Sequence, residues 1–265
     1  GIMPEKIVAY STGNHGIAMS YAAKLFNIHA RIYLPQNVSP TKKRIARYHG
    51  AEVIETKTRV EAEILARKDG ESSYHYLPPS DDDMTIAGAG TMCYEALQEL
   101  REKEQLPNAI FAPCGGGGLL SGSYLAKELL SPKSELHGVE PAIANDAYRS
   151  LHADEIFRFQ ESPNTIADGL RALSVSERTL NYLRKLDDFH TVSEEEIRYW
   201  TAWLIQMMKI TCEPSAATAM AAAHNWLKTQ PKDQMVLILI TGGNIDPEIY
   251  KELCIDDKNL HNLPE

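Results

Sequence analysis

Residues 109–130 read AIFAPCGGGGLLSGSYLAKELL. The apolar run at 109–112 predicts a buried strand, and the stretch at 119–130 predicts a helix. Four consecutive glycines at 115–118 join the two. Because glycines are entropically costly to order, four in a row make sense where successive backbone N–H groups converge on an anion, most often a phosphate. We therefore predict a strand, an anion-binding loop and a helix.

Strand and helix patterns alternate along the rest of the chain. Short apolar runs predict strands at residues 6–10, 30–34, 52–55, 109–112, 135–140 and 235–240. Helical patterns lie at residues 13–26, 40–48, 59–68, 85–102, 119–130, 194–208 and 215–228. The first helix has four residues on one face, namely Ala18, Tyr21, Ala22 and Leu25. This alternation is typical of βαβ units, so we predict an α/β fold with a mostly parallel sheet.

Composition excludes several classes of protein. The chain has 265 residues, with 27 Lys and Arg against 36 Asp and Glu, which gives a net charge of −9. An apolar fraction of 43% and a charged fraction of 24% are ordinary for a globular protein and exclude disorder. The acidic balance argues against a nucleic-acid partner, and no apolar run approaches the ~18 residues of a membrane span. Four scattered cysteines without a C-x-x-C pair indicate reduced thiols and a cytoplasmic location.

A second polar loop follows the first predicted strand. Residues 11–16 read STGNHG and open the first helix. Small residues let the backbone approach a ligand, and the helix N-terminus offers N–H groups. The alternative is simple helix capping by Ser11 or Thr12. A cap needs one such residue, and here six polar or small residues stand together, so we favour a ligand.

The glycine loop also leaves alternatives open. It is not a P-loop, because no Lys-Ser/Thr pair follows, and no frame gives G-x-G-x-x-G. Glu140 nevertheless closes the next strand, about where a nucleotide-binding fold places its ribose acid, so an NAD-type site remains an alternative. A tight turn without a ligand is another. Residues 241–244, TGGN, follow the last strong strand and form a third, weaker signal.

Taken together, these motifs resemble the fold-type II pyridoxal-phosphate enzymes, in particular the serine/threonine dehydratase and serine racemase group. The resemblance runs over essentially the whole chain. It includes seven motifs in the family's order, at residues 11–16, 86–91, 115–118, 140–141, 165–169, 213–216 and 241–244. Each motif alone is modest, whereas seven in order are specific.

The resemblance implies which residues bind pyridoxal 5'-phosphate. Those it assigns to the phosphate are Gly115, Gly116, Gly117, Gly118 and the backbone amide of Leu119. Asn14 would hydrogen-bond the ring hydroxyl, and Thr241 would face the pyridine nitrogen. A neutral hydroxyl cannot keep that nitrogen protonated as an aspartate would. The cofactor is then a weaker electron sink, which suits elimination of a β-hydroxyl.

The resemblance also implies a substrate site. Ser11, Thr12 and the backbone N–H of His15 would hold the substrate carboxylate. Thr12 stands where racemases of the family have a serine that acts as a second acid/base. Its hydroxyl could still move a proton, but its methyl group crowds that face of the substrate. We therefore rank racemisation below elimination.

A divalent-cation site is implied at residues 140–146, EPAIAND. In the racemase-like pattern the carboxylates of Glu140 and Asp146 and the carbonyl of Ala144 bind Mg²⁺ or a similar hard cation. Oxygen ligands are the right chemistry for such ions. The alternative is a solvated acidic loop, and the metal would be structural or activating.

The sequence departs from the family at its Schiff-base lysine. The family carries this lysine in a Ser-x-Lys-x-Arg-Gly-like segment upstream of the first loop, where this chain has only 10 residues. Lys6 falls within a predicted strand, and Lys42 and Lys43 are expected to be solvated helix residues. The chain begins at Gly1, which favours a fragment of a longer enzyme. A natural relative that lacks the lysine and binds ligand without turnover is the alternative.

The expected architecture has two lobes, each a mostly parallel sheet flanked by helices, similar to the tryptophan synthase beta fold. Residues 1–90 would form the smaller lobe with the substrate-carboxylate loop. Residues 91–265 would form the larger lobe with the tetraglycine loop, its N-terminal part missing. The cofactor would lie between the lobes, as clefts commonly provide.

The implied function is a lyase of amino-acid metabolism. It would convert serine, threonine or a related 3-hydroxy amino acid to a 2-keto acid and ammonia by β-elimination, as a homodimer in the cytoplasm. The chain as written is expected to be inactive without the lysine. Serine racemase activity, a lysine-less binding protein and an NAD-type nucleotide-binding protein are the alternatives.

Overall fold

The computed structural model describes residues 3–11, 13–153 and 155–254. The chain divides into two compact units, Gly1–Asp82 (the N-terminal unit) and Asp83–Glu265 (the C-terminal unit). Each unit contains one four-stranded sheet in which every pair of neighbouring strands is parallel. The predicted α/β class, with parallel sheets flanked by helices, is confirmed.

The N-terminal unit alternates strands and helices in the strand order β3-β2-β1-β4. Its elements are β1 (Lys6–Tyr10), α1 (Asn14–Phe26), β2 (His29–Pro35), α2 (Pro40–Tyr48), β3 (Glu52–Thr56), α3 (Arg59–Gly70) and β4 (His75–Tyr76). Val8 and Ile32 are buried at the centre of its sheet. Strands β1 and β2 lie in the middle, so their carboxyl ends lead into loops at one edge.

The C-terminal unit has the strand order β7-β6-β5-β8. Its elements are α4 (Asp83–Glu102), β5 (Ala109–Pro113), α5 (Gly118–Leu130), β6 (Glu135–Pro141), α6 (Asp146–Ala153), a 3-10 turn (Asp168–Leu170), α7 (Glu177–Leu183), β7 (Asp188–Val192), α8 (Glu194–Gln206), α9 (Pro214–Leu227), β8 (Val236–Ile238) and α10 (Pro247–Cys254). Strand β5 is buried along its whole length and pairs with β6 and β8. None of the helices in the described part of the chain is long and apolar enough to cross a membrane.

The face predicted for α1 is solvent-exposed. Tyr21 and Leu25 lie largely in solvent, and the buried residues of α1 are Gly16, Met19, Ser20 and Ala23. The large apolar residue on the buried face is Met19, which packs in the core of the N-terminal unit. Gly16 leaves little room for a side chain, since a Cβ there would meet Ile32 Cγ2 at 3.3 Å.

The expectation that Lys42 and Lys43 are solvated is wrong. They are 3% and 9% exposed. Lys43 Nζ donates to Glu55 Oε2 and to the carbonyl of Gln36, both at 2.7 Å. The Lys42 side chain packs over Gly13, where an added Cβ would lie 3.2 Å from Nζ. Lys42 also lies beside the apolar side chains of Ile32 and Val38, which its methylene groups can cover.

Candidate functional site

The tetraglycine loop of the C-terminal unit leaves β5 and opens α5. Gly117 has φ +85°, a left-handed conformation that favours glycine. A Cβ on Gly117 would also lie 2.8 Å from Thr179 Cβ, so a side chain is excluded there on steric grounds. Gly118 is the first residue of α5. The N–H groups of the first turn point out of the positive end of this 13-residue helix, which favours a bound anion.

Neighbouring strands bring Thr241 and Glu140 to the same edge of the sheet. Strand β5 lies between β6 and β8, and all three are parallel. The N–H of Leu239 donates to the carbonyl of Phe111 at 2.9 Å, so the pairing continues beyond β8 toward Thr241. The N–H of Cys114 donates to the carbonyl of Val139 at 2.8 Å, next to Glu140. The glycine loop, Thr241 and Glu140 therefore follow the carboxyl ends of adjacent strands.

Two further segments contact this edge. The N–H of Gly169 donates to Ser215 Oγ at 2.9 Å. A Cβ on Gly115 would lie 3.2 Å from the carbonyl oxygen of Gly169, so the two loops are in close contact. The N–H of Glu213 donates to the carbonyl of Gly242 at 3.1 Å. The motifs at 115–118, 165–169, 213–216 and 241–244, far apart in sequence, thus meet in one place.

Sequence analysis assigned no role to three residues of this arrangement. Gly169 fits only without a side chain, since a Cβ would meet Ser215 Oγ at 2.8 Å and Glu213 Oε1 at 3.1 Å. Glu213 is 2% exposed, which is unusual for a carboxylate. Gly169, Glu213 and Ser215 lie within the motifs at 165–169 and 213–216, so the sequence marked their segments. Their contacts with one another depend on the tertiary structure.

The acidic residues between β6 and α6 form a buried group. Glu140, Ala144 and Asp146 are all inaccessible to solvent. Glu140 accepts hydrogen bonds from the backbone N–H groups of Ala147 at 3.1 Å and Tyr148 at 2.9 Å. Burial first, and the charge of Asp146 second, raise the pKa of Glu140 well above its usual range. The alternative of a solvated acidic loop is therefore wrong for these side chains.

The Cys114 thiol lies immediately before the glycine loop. Burial first, then the charges of Glu140 and Asp146, raise its pKa well above the usual value. A thiol held in the neutral form is a poor nucleophile. Cys114 therefore fills space beneath the loop and supplies no reactive group.

The loop of the N-terminal unit is held by the Ser11 hydroxyl. Ser11 Oγ accepts hydrogen bonds from the N–H of Gly13 at 3.1 Å and of Gly16 at 2.9 Å. The N-cap residue of α1 is Gly13, which has no capping side chain, so Ser11 acts from two residues further upstream and fixes the shape of the loop. Asn14 begins α1 and is partly exposed, while Thr12 lies outside the described residues.

The His15 ring fastens the start of α1 to the end of β4. His15 Nε2 lies 3.1 Å from the carbonyl oxygen of Leu77, which can only accept, so Nε2 is the donor. Burial lowers the pKa of His15, and this hydrogen bond offsets part of the effect. The ring is thus engaged with Leu77, while the backbone N–H of His15 belongs to the first turn of α1.

The chain matches one protein family over most of its length. The family model described as "Pyridoxal-phosphate dependent enzyme" matches residues 4–242. The chain belongs to this family. The resemblance stated from the motifs is confirmed.

Individual members of the family are similar over most of their length. The L-threo-3-hydroxyaspartate ammonia-lyase of Saccharomyces cerevisiae is 35% identical over 250 residues, covering 93% of this chain and 75% of the relative. The serine racemase of Mus musculus is 34% identical over 252 residues, covering 92% and 72%. The crystal structure of a threonine deaminase from T.th. has a TM-score of 0.85 at 38% identity, covering 92% of this chain and 79% of that one. These relatives are pyridoxal-phosphate lyases and racemases that act on amino acids.

The C-terminal unit has the features that pyridoxal phosphate requires. Its glycine loop excludes side chains at Gly117 and meets the Gly169 loop at Gly115. Backbone N–H groups at the start of α5 suit the phosphate, and Thr241 offers a neutral hydroxyl at the same edge of the sheet. The residues present therefore fit the cofactor.

Proposed function

We propose that this chain belongs to a pyridoxal-phosphate-dependent ammonia-lyase whose intact form converts a 3-hydroxy amino acid to a 2-keto acid and ammonia by β-elimination. The observation that supports it most is the meeting of the glycine loop, the Gly169–Ser215 contact and the Thr241 segment at one sheet edge. The lyases among the relatives support the reaction class. Serine, threonine and 3-hydroxyaspartate are the substrates to test.

The C-terminal unit binds and orients the cofactor in this proposal. The backbone N–H groups of Gly115, Gly116, Gly117, Gly118 and Leu119 hold the phosphate. When bound, pyridoxal phosphate supplies the electron sink for bond breaking at the substrate Cα. Thr241 would face the pyridine nitrogen and, being neutral, would not hold a proton on it. This favours loss of the β-hydroxyl over slow reprotonation at Cα.

The N-terminal unit binds the substrate carboxylate. Ser11 Oγ shapes the loop by accepting two backbone N–H groups, and the N–H of His15 and its neighbours face the carboxylate at the positive end of α1. The resemblance implies that Asn14 would hydrogen-bond the ring hydroxyl of the cofactor. The Thr12 hydroxyl is the proposed acid/base at the substrate Cα.

Glu140, Asp146 and the carbonyl of Ala144 are proposed to bind a divalent cation such as Mg²⁺. Both carboxyl groups are buried, and the charge of Asp146 disfavours ionisation of Glu140. A hard divalent ion offsets both charges with the ligand type it prefers. The site lies beside the glycine loop, so its role is to stabilise that edge of the sheet.

Turnover requires the Schiff-base lysine. No lysine of the 265 residues lies in the Ser-x-Lys-x-Arg-Gly-like segment of the family. Lys42 and Lys43 remain unassigned to catalysis, since Lys43 is engaged with Glu55 and Gln36. We therefore propose that the 265 residues alone bind ligand and do not turn it over.

Serine racemase activity is the second candidate, favoured by relatives of that name, such as the one from Mus musculus. The threonine at position 12 weighs against it, because racemases of the family have a serine there and the resemblance implies that the extra methyl group would crowd the face from which a second acid/base acts. The family match gives no support to the NAD-type alternative. A homodimer in the cytoplasm is proposed from the resemblance alone.

The test is an assay of the full gene product and of the 265-residue chain with pyridoxal phosphate and L-serine, L-threonine or L-threo-3-hydroxyaspartate. Two products are measured in each reaction. The 2-keto acid reports elimination, and the D-amino acid, separated by chiral chromatography, reports racemisation. The proposal predicts that the full gene product forms more 2-keto acid than D-amino acid, and that the 265-residue chain forms no 2-keto acid. Excess D-serine would favour the racemase, and turnover by the 265 residues would refute the requirement for the missing lysine.

A further inference from the structure

Two histidines and an aspartate lie together on one face of the sheet in the C-terminal unit. His137 is on β6, and Asp188 and His190 are on β7. The register pairs His137 with Asp188 and Val139 with His190, so all these side chains project from the same face. Among the described residues, His137, Asp188 and His190 are the one group of three metal-ligand side chains whose donor atoms all lie within 4.8 Å of one another.

The tautomers of this group follow from its hydrogen bonds. His137 Nε2 lies 3.0 Å from Glu135 Oε2, and a carboxylate can only accept, so Nε2 carries the proton. The Nδ1 lone pair of neutral His137 then faces His190 Nε2 at 2.9 Å. Asp188 Oδ2 lies 3.7 Å from that same nitrogen. Two ring nitrogens and a carboxylate oxygen thus point toward one small region.

We propose that His137 Nδ1, His190 Nε2 and an Asp188 carboxylate oxygen bind a divalent transition-metal ion of the Zn²⁺ class. Imidazole nitrogens with one carboxylate are typical ligands of Zn²⁺ and its neighbours, whereas Mg²⁺ prefers oxygen alone. The ion replaces the hydrogen bond between the rings. The proton on His190 Nε2 moves to Nδ1 of the same ring, so binding needs no net loss of a proton.

Neighbouring residues orient the proposed ligands and leave a path for the ion from solvent. A ligating histidine usually donates its other N–H to a carboxylate, and Glu135 stands in that position to His137. The Phe111 ring stacks on His137 at 4.6 Å, and Trp226 packs edge-on against both, so the ring orientation is fixed. The side chains of Asp188 and His190 are 60% and 25% exposed, which gives an ion a path from solvent.

This site is distinct from the acidic group at Glu140. Side chains alternate between faces along a strand, so His137 and Glu140 project from opposite faces of β6. His137 also lies near the amino end of the strand, whereas Glu140 lies near its carboxyl end, beside the glycine loop. The two sites therefore differ in position and in the ion they prefer.

The experiment is a titration of the full chain with Co²⁺ and Zn²⁺ in the presence of excess Mg²⁺. Co²⁺ bound by nitrogen and oxygen gives visible absorption without the near-ultraviolet band of a thiolate ligand. One Co²⁺ per chain is expected, displaced by Zn²⁺. His190→Gln and Asp188→Asn should abolish the visible band, and Asp188→Asn keeps the oxygen that accepts from the Phe189 N–H at 2.7 Å. Glu135→Gln should keep the band and lower the affinity by about 10–100-fold.

The matched control is His29→Gln. His29 Nε2 lies 3.3 Å from Glu52 Oε2 on the surface, so it forms a histidine–carboxylate pair of the same kind. Thermal unfolding without metal shows whether each variant folds. The proposal is overturned if the wild type gives no visible band, if His190→Gln and Asp188→Asn retain it, or if His29→Gln abolishes it. Displacement of Co²⁺ by Mg²⁺ would also overturn it, since that behaviour belongs to an all-oxygen site.

Discussion

Gly117 illustrates what single residues do in this fold. Its φ of +85° and its contact with Thr179 both exclude a side chain, and it stands directly before the first residue of α5. From the sequence, the four glycines predict an anion-binding loop, with a ligand-free tight turn and an NAD-type site as the alternatives. It could not tell which glycine is irreplaceable, since that depends on Thr179, 62 residues further along the chain.

Gly117→Ala should weaken pyridoxal phosphate binding by about tenfold or more, ~1.4 kcal/mol. The added Cβ would lie 2.8 Å from Thr179 Cβ, so the loop must shift and its N–H groups leave the phosphate. Gly50→Ala is the control, because Gly50 has φ +89° with nothing within 4 Å of an added Cβ. It suffers the same backbone strain of about 1–2 kcal/mol without the clash. Equal cofactor affinities of the two variants, measured by fluorescence titration, would contradict the assignment.

The buried pair of Glu140 and Asp146 predicts a response to divalent cations. Mg²⁺ at a concentration about 100 times its Kd should stabilise the wild type by about 2.7 kcal/mol. Asp146→Asn should lose most of this effect, because it removes one of the two charges that the ion offsets. Thermal unfolding with and without Mg²⁺ measures it. An equal rise in Tm for both proteins would show that the ion binds elsewhere.

His15 predicts a dependence of stability on pH. Because burial lowers its pKa, the folded state binds fewer protons than the unfolded state. The contribution of His15 to the free energy of unfolding is complete above about pH 6.5, the pKa of histidine in the unfolded chain. It is lost as the pH falls through the lower pKa of His15 in the folded state. His15→Gln keeps an N–H donor for the Leu77 carbonyl and removes the titration. Denaturant unfolding at pH 8 and pH 5 should show a larger loss for the wild type, and equal losses would contradict this account.

Close helix contacts are the main feature at the level of elements. Helices α4 and α5 pack through Gly90 and Gly122, and a Cβ on Gly90 would lie 2.5 Å from the carbonyl oxygen of Gly122. Gly90 belongs to the 86–91 motif on which the family resemblance rests, and the structure shows that it also has a packing role. Such a contact cannot be deduced from either helix alone.

Gly90→Ala should destabilise the protein by about 1–3 kcal/mol, because the helices must move apart. Gly88→Ala, in the same helix with nothing within 4 Å of its Cβ, should stabilise it by up to about 1 kcal/mol through higher helix propensity. The free energy of unfolding in denaturant measures both. A gain of stability in Gly90→Ala would show that α4 and α5 are not in close contact.

Elements with a regular local pattern were predicted from the sequence better than elements without one. Helix α2 and strand β1 have the predicted bounds. Strand β7 was missed because Asp188, His190 and a threonine interrupt its apolar pattern. Four other short elements, β4, α6, α7 and α10, were also missed. Short segments owe their structure to packing rather than to local propensity, so a local pattern does not identify them.

For the whole molecule, the alternation of strand and helix patterns predicted the parallel α/β class. The order of the seven motifs along the chain predicted the family. It did not predict which motifs touch. The contacts of Gly169 with Ser215 and of Glu213 with Gly242 join segments 29 to 46 residues apart. Nor did it predict the histidine group, since His137 and His190 stand 53 residues apart and neither belongs to a motif.

The central claim is that backbone N–H groups at residues 115–119 hold the phosphate of the cofactor. The most direct measurement compares the affinities of the chain for pyridoxal phosphate and for pyridoxal, which lacks the phosphate. We expect pyridoxal to bind at least about 100 times more weakly, ~2.7 kcal/mol, and inorganic phosphate to compete with pyridoxal phosphate. Equal affinities for the two compounds, with no competition by phosphate, would contradict the account.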